Sequence, residues 1–169
     1  MLVEYAHNYP SVVRLKSGDA GIFGRLEEEI YALTEANIEF EVIPGVPSAC
    51  AAAAAANIPL TRRLAARRVQ FITGSDVTGN LPTDLNFTAL TDANAITSIY
   101  MGRRTFPKLA KLLIENGLAP DTPAILAESI GSDEERLKWS TVSKLAEFLI
   151  DEPKSQPALI LYGPLVNST

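Results

Sequence analysis

The chain has 169 residues, 47% of them hydrophobic, and a formal net charge of -5. That length suffices for one large or two small domains with a real core, and the acidic balance excludes nucleic-acid binding through a broad basic surface. A single cysteine, Cys50, and a single histidine, His7, exclude an internal disulfide framework, a Cys-based zinc site and a histidine-rich metal site, so no metal is expected. The N-terminus carries Glu4 and His7 in place of the basic start and apolar run of a secretory signal. The apolar run Ala49 to Ala56 is too short to span a membrane. The expectation is a cytoplasmic protein with no membrane partner.

Met1 to Ala6 reads as the tail of an amphipathic helix with no N-cap signal ahead of it, which suggests a segment missing upstream. Val12, Val13 and Leu15 suit a short buried strand. It runs into a turn punctuated by Gly18, Gly21 and Gly24, with Asp19 at the strand's carboxyl end. Because ligands of open α/β sheets bind at the carboxyl ends of strands, this turn is a candidate site, although a lone glycine-rich turn is equally compatible with an ordinary loop. A helix from about Leu26 to Ala36 follows. Glu27, Glu28 and Glu29 lie at the positive end of its dipole, and Asn37 is its stop. Phe40 to Ile43 is expected as a second strand, Pro44 to Ser48 as a second turn, and Ser48 as the N-cap of the alanine helix Ala49 to Ala56. With so little side-chain bulk, that helix suits close packing against a sheet or close approach of a ligand. The strand–helix–strand–helix order predicts a parallel sheet with crossover helices.

Arg62 to Arg68 reads as a polar linker dividing a domain at 1–61 from one at 62–169. Its arginines are solvated, salt-bridged or turned to an anionic substrate. Beyond it the pattern predicts strands at Val69 to Thr73, Ala95 to Met101, Pro123 to Glu128 and Ala158 to Tyr162, with an extended segment at Arg136 to Trp139. Helices are expected near Phe87 to Leu90, at Phe106 to Asn116 with Gly117 as stop, and from a Ser140 or Thr141 cap to about Ile150.

Taken together, the ordered turns resemble the tetrapyrrole (corrin/porphyrin) methylases. Val12 to Arg25 is similar to the family's V-V-R-L-K-G-G-D-P-x-x-F-G-R, Phe40 to Ser48 to F-x-V-x-P-G-[IV]-[TS]-[SA], and Ile58 to Arg62 to I-P-L-T-H-R. Phe71 to Gly74 resembles V-T-G-H, Tyr100-Met101-Gly102 keeps Y-M-G, Asp121 to Glu128 resembles T-P-V-A-x-V-E-x-G-T, and Pro157 to Gly163 resembles P-A-L-I-I-x-G. The match covers nearly the whole chain. It implies an α/β protein of two α/β domains, the N-terminal one incomplete, with S-adenosylmethionine bound in a cleft between them. The methyl acceptor implied is a reduced tetrapyrrole, uroporphyrinogen III, methylated at ring carbon toward precorrin-2 in siroheme and cobalamin biosynthesis, with S-adenosylhomocysteine as the other product. The implied cofactor residues are Ser17, Gly18, Asp19, Ile22, Pro47, Ser48, Met101 and Ile130. No catalytic residue is assigned, and the family implies a homodimer or other self-association.

The departures from the family pattern are Ser17 for a glycine, Ala20 for a proline, Ser75 for a histidine, Glu135-Arg136 for Gln-Arg, and Ile130 for a glycine, with Gly131 next to it as in a one-residue local shift. The family's G-x-G-P-G-D loop and the βα units beside it, on the order of 60 residues by βαβ scaling, have no counterpart in this sequence. Little methyl transfer is therefore expected of this chain alone. Two alternatives remain: a non-catalytic folded remnant that binds a partner, and a methylase of a later precorrin, kept open by the likeness of Ser17 to Ile22 to the S-G-D turn of some cobalamin-pathway methylases, although Lys16, Phe23-Gly24-Arg25 and Leu60-Thr61-Arg62 favour the uroporphyrinogen enzyme.

Overall fold

The computed structural model describes residues 1–151 and 156–166. The chain divides into two compact units, Met1–Ser48 and Ala49–Thr169. The first holds helix α1, Leu2–Asn8, and helix α2, Leu26–Glu35. Helix α2 ends where the sequence predicts, with Asn37 in the left-handed region at φ 53°. The Ile38 amide returns to the Leu33 carbonyl at 3.0 Å, the reach-back bond that satisfies an orphan carbonyl at a helix end.

The two strands expected in this unit do not form. Val12 to Leu15 and Phe40 to Ile43 run without secondary structure and with exposed side chains, among them Val13, Leu15 and Ile43 at 77%, 78% and 70% exposure. Apolar β-formers specify a strand only when a neighbour completes the hydrogen-bond ladder, and no described segment pairs with either stretch. The expected parallel sheet is therefore absent from this part of the chain.

The second unit carries the sheet, and it is mixed. Its elements are α3 (Ser48–Ala55, whose first residue closes the first unit), β1 (Arg68–Thr73), α4 (Phe87–Leu90), β2 (Ala95–Tyr100), α5 (Phe106–Glu115), β3 (Pro123–Glu128), β4 (Arg136–Thr141), α6 (Val142–Asp151) and β5 (Ala158–Tyr162). The strand order is β1-β2-β5-β3-β4, with only β1 and β2 paired in parallel. Strands β2 and β3 run in the same direction and are joined through α5, as a crossover requires, but β5 enters between them and pairs antiparallel with both. Because β1, β2 and β3 share a direction, their carboxyl ends lie at one edge of the sheet.

Alternation along the strands builds a core on each face. On one face Ile99, Leu126, Ile160 and Tyr162 pack with Phe106, Leu109 and Leu113 of α5 and Leu145 and Leu149 of α6. On the other, Ile96, Ile125, Leu159 and Leu161 pack with Ala49, Ala52 and Ala53 of α3. Ala49 and Ala52 are fully buried there, so the lack of bulk serves close helix-on-sheet packing. Gly117, at φ +100°, stops α5 as predicted, and Thr141 Oγ1 accepts the Lys144 amide at 3.4 Å at the start of α6. Among the described residues no helix is long and apolar enough to cross a membrane.

Candidate functional site

In the first unit the turn after Lys16 folds onto the turn before α3. Gly18 takes φ +87°, and a Cβ there would stand 3.4 Å from the Val46 carbonyl oxygen and 3.5 Å from Ser48 Oγ. A Cβ on Gly45 would fall on the Gly18 carbonyl, closer than side-chain atoms pack. Each glycine is needed because backbone lies on backbone. Asp19 fastens the two turns: Oδ1 accepts the Gly21 amide at 2.8 Å and Oδ2 accepts the Gly45 amide at 2.9 Å. The sequence suggested Asp19 as an acceptor for a ligand. In the structure both oxygens already serve the backbone, which leaves one further lone-pair site on each.

This clamp brings Ser17, Gly18 and Asp19 beside the Gly45–Ser48 turn, with the Ile22 amide donating to the Asp19 carbonyl at 3.3 Å. Ser17, Gly18 and Ser48 are exposed, while Ile22 and Pro47 are half-buried. Behind the turn, Lys16 donates to the Gly24 carbonyl and pairs with Glu29 at 2.8 Å, its side chain only 13% exposed. Arg14 reaches the same carboxylate at 3.3 Å. The left-handed Phe23 and Arg25, at φ 53° and 56°, carry the chain from the turn into α2.

In the second unit Met101 and Ile130 both stand just past the shared carboxyl edge of the sheet. Met101 is left-handed, φ 53°, and 54% exposed. Its carbonyl accepts Ser75 Oγ at 2.8 Å, and the Gly74 amide donates to the Tyr100 carbonyl at 2.7 Å. A Cβ on Gly74 would collide with Gly102 Cα, so the turns after β1 and β2 require glycine to lie this close. Thr105 Oγ1, buried, donates to the Gly74 carbonyl at 2.5 Å and completes the join. Ser75 thus holds the Met101 backbone through its hydroxyl. Tyr100 Oη accepts the Ala49 amide at 3.1 Å, anchoring the first turn of α3 to the end of β2.

Ile130 is half-buried against the alanine-side core, and the left-handed position falls at Gly131, φ +84°, where a Cβ would meet nothing within 4 Å. In this turn the left-handed conformation thus falls on a glycine, which adopts it without strain. Gly131 donates to Glu135 Oε2 at 2.9 Å, and Ser132 Oγ donates to the Ser129 carbonyl at 2.8 Å. Of the arginine cluster, Arg62 donates to the Pro164 carbonyl at 3.1 Å and Arg68 pairs with Asp92 at 2.5 Å, while Arg63 and Arg67 are exposed. The roles of Ser75, Tyr100 and the Gly45 amide depend on contacts between residues 26 to 51 positions apart, so no local pattern announces them.

The first unit offers exposed hydroxyls and backbone at Ser17, Gly18 and Ser48, and the second, taken by itself, offers an exposed, flexible thioether at Met101 at the end of β2. Among the described residues no three His, Cys, Asp or Glu side chains gather into a group able to hold a metal.

Comparison with known proteins places the chain in a family. The family model for Tetrapyrrole (Corrin/Porphyrin) Methylases matches residues 1–146. The siroheme synthase of Chromobacterium violaceum is 40% identical over 166 residues, covering 98% of this chain and 35% of that protein. The uroporphyrinogen-III C-methyltransferase of Bacillus subtilis is 39% identical over 166 residues, covering 98% of this chain and 64% of that protein. The crystal structure of uroporphyrin-III C-methyl transferase from Thermus thermophilus complexed with S-adenyl homocysteine superposes with a TM-score of 0.80 at 30% identity, over 96% of this chain and 70% of that one. The chain thus spans about a third of one of these curated relatives and just under two thirds of the other. With a family match over most of its length, the chain belongs to the tetrapyrrole (corrin/porphyrin) methylases.

Proposed function

We propose that the chain is the S-adenosylmethionine-binding part of a C-methyltransferase that acts on uroporphyrinogen III. The observation that carries this reading is the double turn fastened by Asp19, where Gly18 and Gly45 bring two backbones into contact and leave Ser17, Gly18 and Ser48 exposed. Its support comes from the solved relative that holds S-adenyl homocysteine and from the relatives named for methylation of uroporphyrinogen III. Ser17, Gly18, Asp19, Ile22, Pro47, Ser48, Met101 and Ile130 are assigned to the cofactor. When bound, S-adenosylmethionine supplies a sulfonium methyl to a nucleophilic ring carbon and leaves as the thioether S-adenosylhomocysteine.

The chain's own contribution is orientation, and alignment alone lowers the barrier of such a transfer substantially. Ser17, Ser48 and the Gly18 backbone offer hydrogen bonds. Met101 presents an apolar surface whose carbonyl Ser75 already holds, so the side chain projects from a fixed base. No proton-transfer group is assigned. In this reading the protein works in the cytoplasm as a homodimer. The exposed Val13, Leu15, Ile43 and Val46 of the first unit support self-association.

Calorimetric titration of the purified chain with S-adenosylhomocysteine tests the reading. Micromolar binding, weakened by Met101→Ala, is expected, and absence of binding would refute the cofactor assignment. Incubation with S-adenosylmethionine and uroporphyrinogen III, followed by mass analysis, separates a competent enzyme from a chain that binds cofactor without turning it over.

A further inference from the structure

Two turns at the carboxyl edge of the sheet are joined by a charge pair that the assigned site leaves unused. Arg103, two residues after Met101, donates through Nη1 to Glu128 Oε1, two residues before Ile130. Both side chains are only 10% exposed. We propose that Arg103 and Glu128 are positioning residues that hold the Met101 turn and the Ile130 turn at a set separation for the cofactor, an inference that rests on the assignment of those two residues to it.

The sheet register shows why a tie is needed. Tyr100 of β2 and Ala127 of β3 both lie opposite Leu159 of β5, and Glu128 lies opposite Ala158. The ends of β2 and β3 are therefore two strand spacings apart, roughly 10 Å. No ladder hydrogen bond passes directly between them, because β5 intervenes and begins at Ala158. The long Arg103 side chain, bonded to Glu128, links the end of β2 to the end of β3. Each turn also leaves its strand through a left-handed residue that is not glycine, Met101 at φ 53° and Ser129 at φ 49°. Surrounding structure must impose such conformations. On the Met101 side Ser75 supplies part of that restraint, and the Arg103–Glu128 pair links it to the other side.

A buried ion pair is a poor device for stability alone, since desolvation cancels much of its attraction. What it provides that apolar packing does not is direction: the charge-assisted hydrogen bond from Arg103 Nη1 to Glu128 Oε1 is favourable only over a narrow range of geometries. Removing the tie should leave the two cores intact and loosen both turns together.

The test uses the full chain with two variants. Glu128→Gln keeps the shape and removes the charge, and the double variant R103M/E128L replaces both side chains by apolar ones of similar volume, so that neither member of the pair is left without the other. Hydrogen exchange by mass spectrometry, without ligand, should speed up in peptides covering residues 101–104 and 129–131 while α5 and α6 stay protected. Calorimetry with S-adenosylhomocysteine should show affinity lower by about tenfold, which corresponds to about 1.4 kcal/mol. Wild-type affinity in both variants, or faster exchange spread evenly through the second unit, overturns the inference and leaves the cofactor assignment standing. No binding by the wild-type chain overturns the assignment itself, and this inference with it.

Discussion

The two units reach order by different means. Residues 1–48 contain no buried side chain and no sheet; they are held by the two-ended Asp19 clamp, the Lys16–Glu29 pair and glycine backbones in contact. The second unit buries an apolar cluster on each face of a five-stranded sheet. Polar clamps net a kilocalorie or so apiece, whereas each buried large side chain contributes about 1.5–3 kcal/mol. The first unit is thus a shaped surface with little cohesion of its own, and the second is the cooperative body. Segments with few buried apolar contacts open most readily, and the Asp19 turn is one of them.

The largest test of that contrast is Leu109→Ala, a truncation at a fully buried site between α5 and the sheet. Chemical denaturation should show a loss of about 2–5 kcal/mol; a loss typical of a surface change would mean that α5 does not seal this core. Next comes alkaline pH. Burial pushes the Tyr162 phenol up to about 12, while its hydroxyl donates to the Leu90 carbonyl at 2.8 Å. Because the folded value lies above the unfolded value of roughly 10, the neutral form is the one folding favours. Its contribution is complete below pH 10 and is lost as pH rises toward 12, by about 2–3 kcal/mol. Tyr162→Phe should flatten stability against pH in that window, and an unchanged slope would place the alkaline sensitivity elsewhere.

Smaller and local is the effect expected of Asp19→Ala. Loss of both acceptors should speed amide exchange at Gly21 and Gly45, with a local cost of about 1–3 kcal/mol, and leave the denaturation midpoint of the second unit in place. Asp19→Asn, with a single acceptor oxygen, should fall between. A global loss would show that the clamp supports more than its own turns. Arg25→Ala should do least. Its bidentate contact with Glu28, at 2.6 and 2.7 Å, raises the guanidinium value and lowers that of the carboxylate, yet both groups stand in solvent, where such pairs contribute little. A measurable fall in melting temperature would mean that the left-handed start of α2 depends on this arginine.

Much of this architecture was legible in advance. Helix α5 followed from Leu109, Leu112 and Leu113 with Gly117 behind them, and β3 and β5 from short apolar runs ended by turn residues. The candidate turns were legible through Gly18-Asp19 and Pro44 to Ser48, because glycine and proline mark positions where backbone geometry is unusual. The strands expected at Val12 to Leu15 and Phe40 to Ile43 failed for a definable reason. Residue pattern states a preference for extended backbone, but a strand exists only by virtue of a second strand. The same limit concealed the mixed sheet, since neither the entry of β5 between β2 and β3 nor its reversed direction is written in any local run.

By itself, then, the sequence determined the helices and their stops, the sheet-forming runs of the second unit, the two glycine turns and membership of a methylase family. The first three are local, since they depend on side-chain size, on φ preferences and on periodicity over a few residues; the family is legible only from the ordered likeness of motifs along nearly the whole chain. Tertiary structure alone decided that Asp19 closes a clamp, that Ser75 holds Met101, that alanines seal one face of the sheet and that Arg103 meets Glu128 across β5. Each of those joins residues far apart in the chain, and their pairing is selected by which burial and hydrogen-bond partners the completed fold makes available.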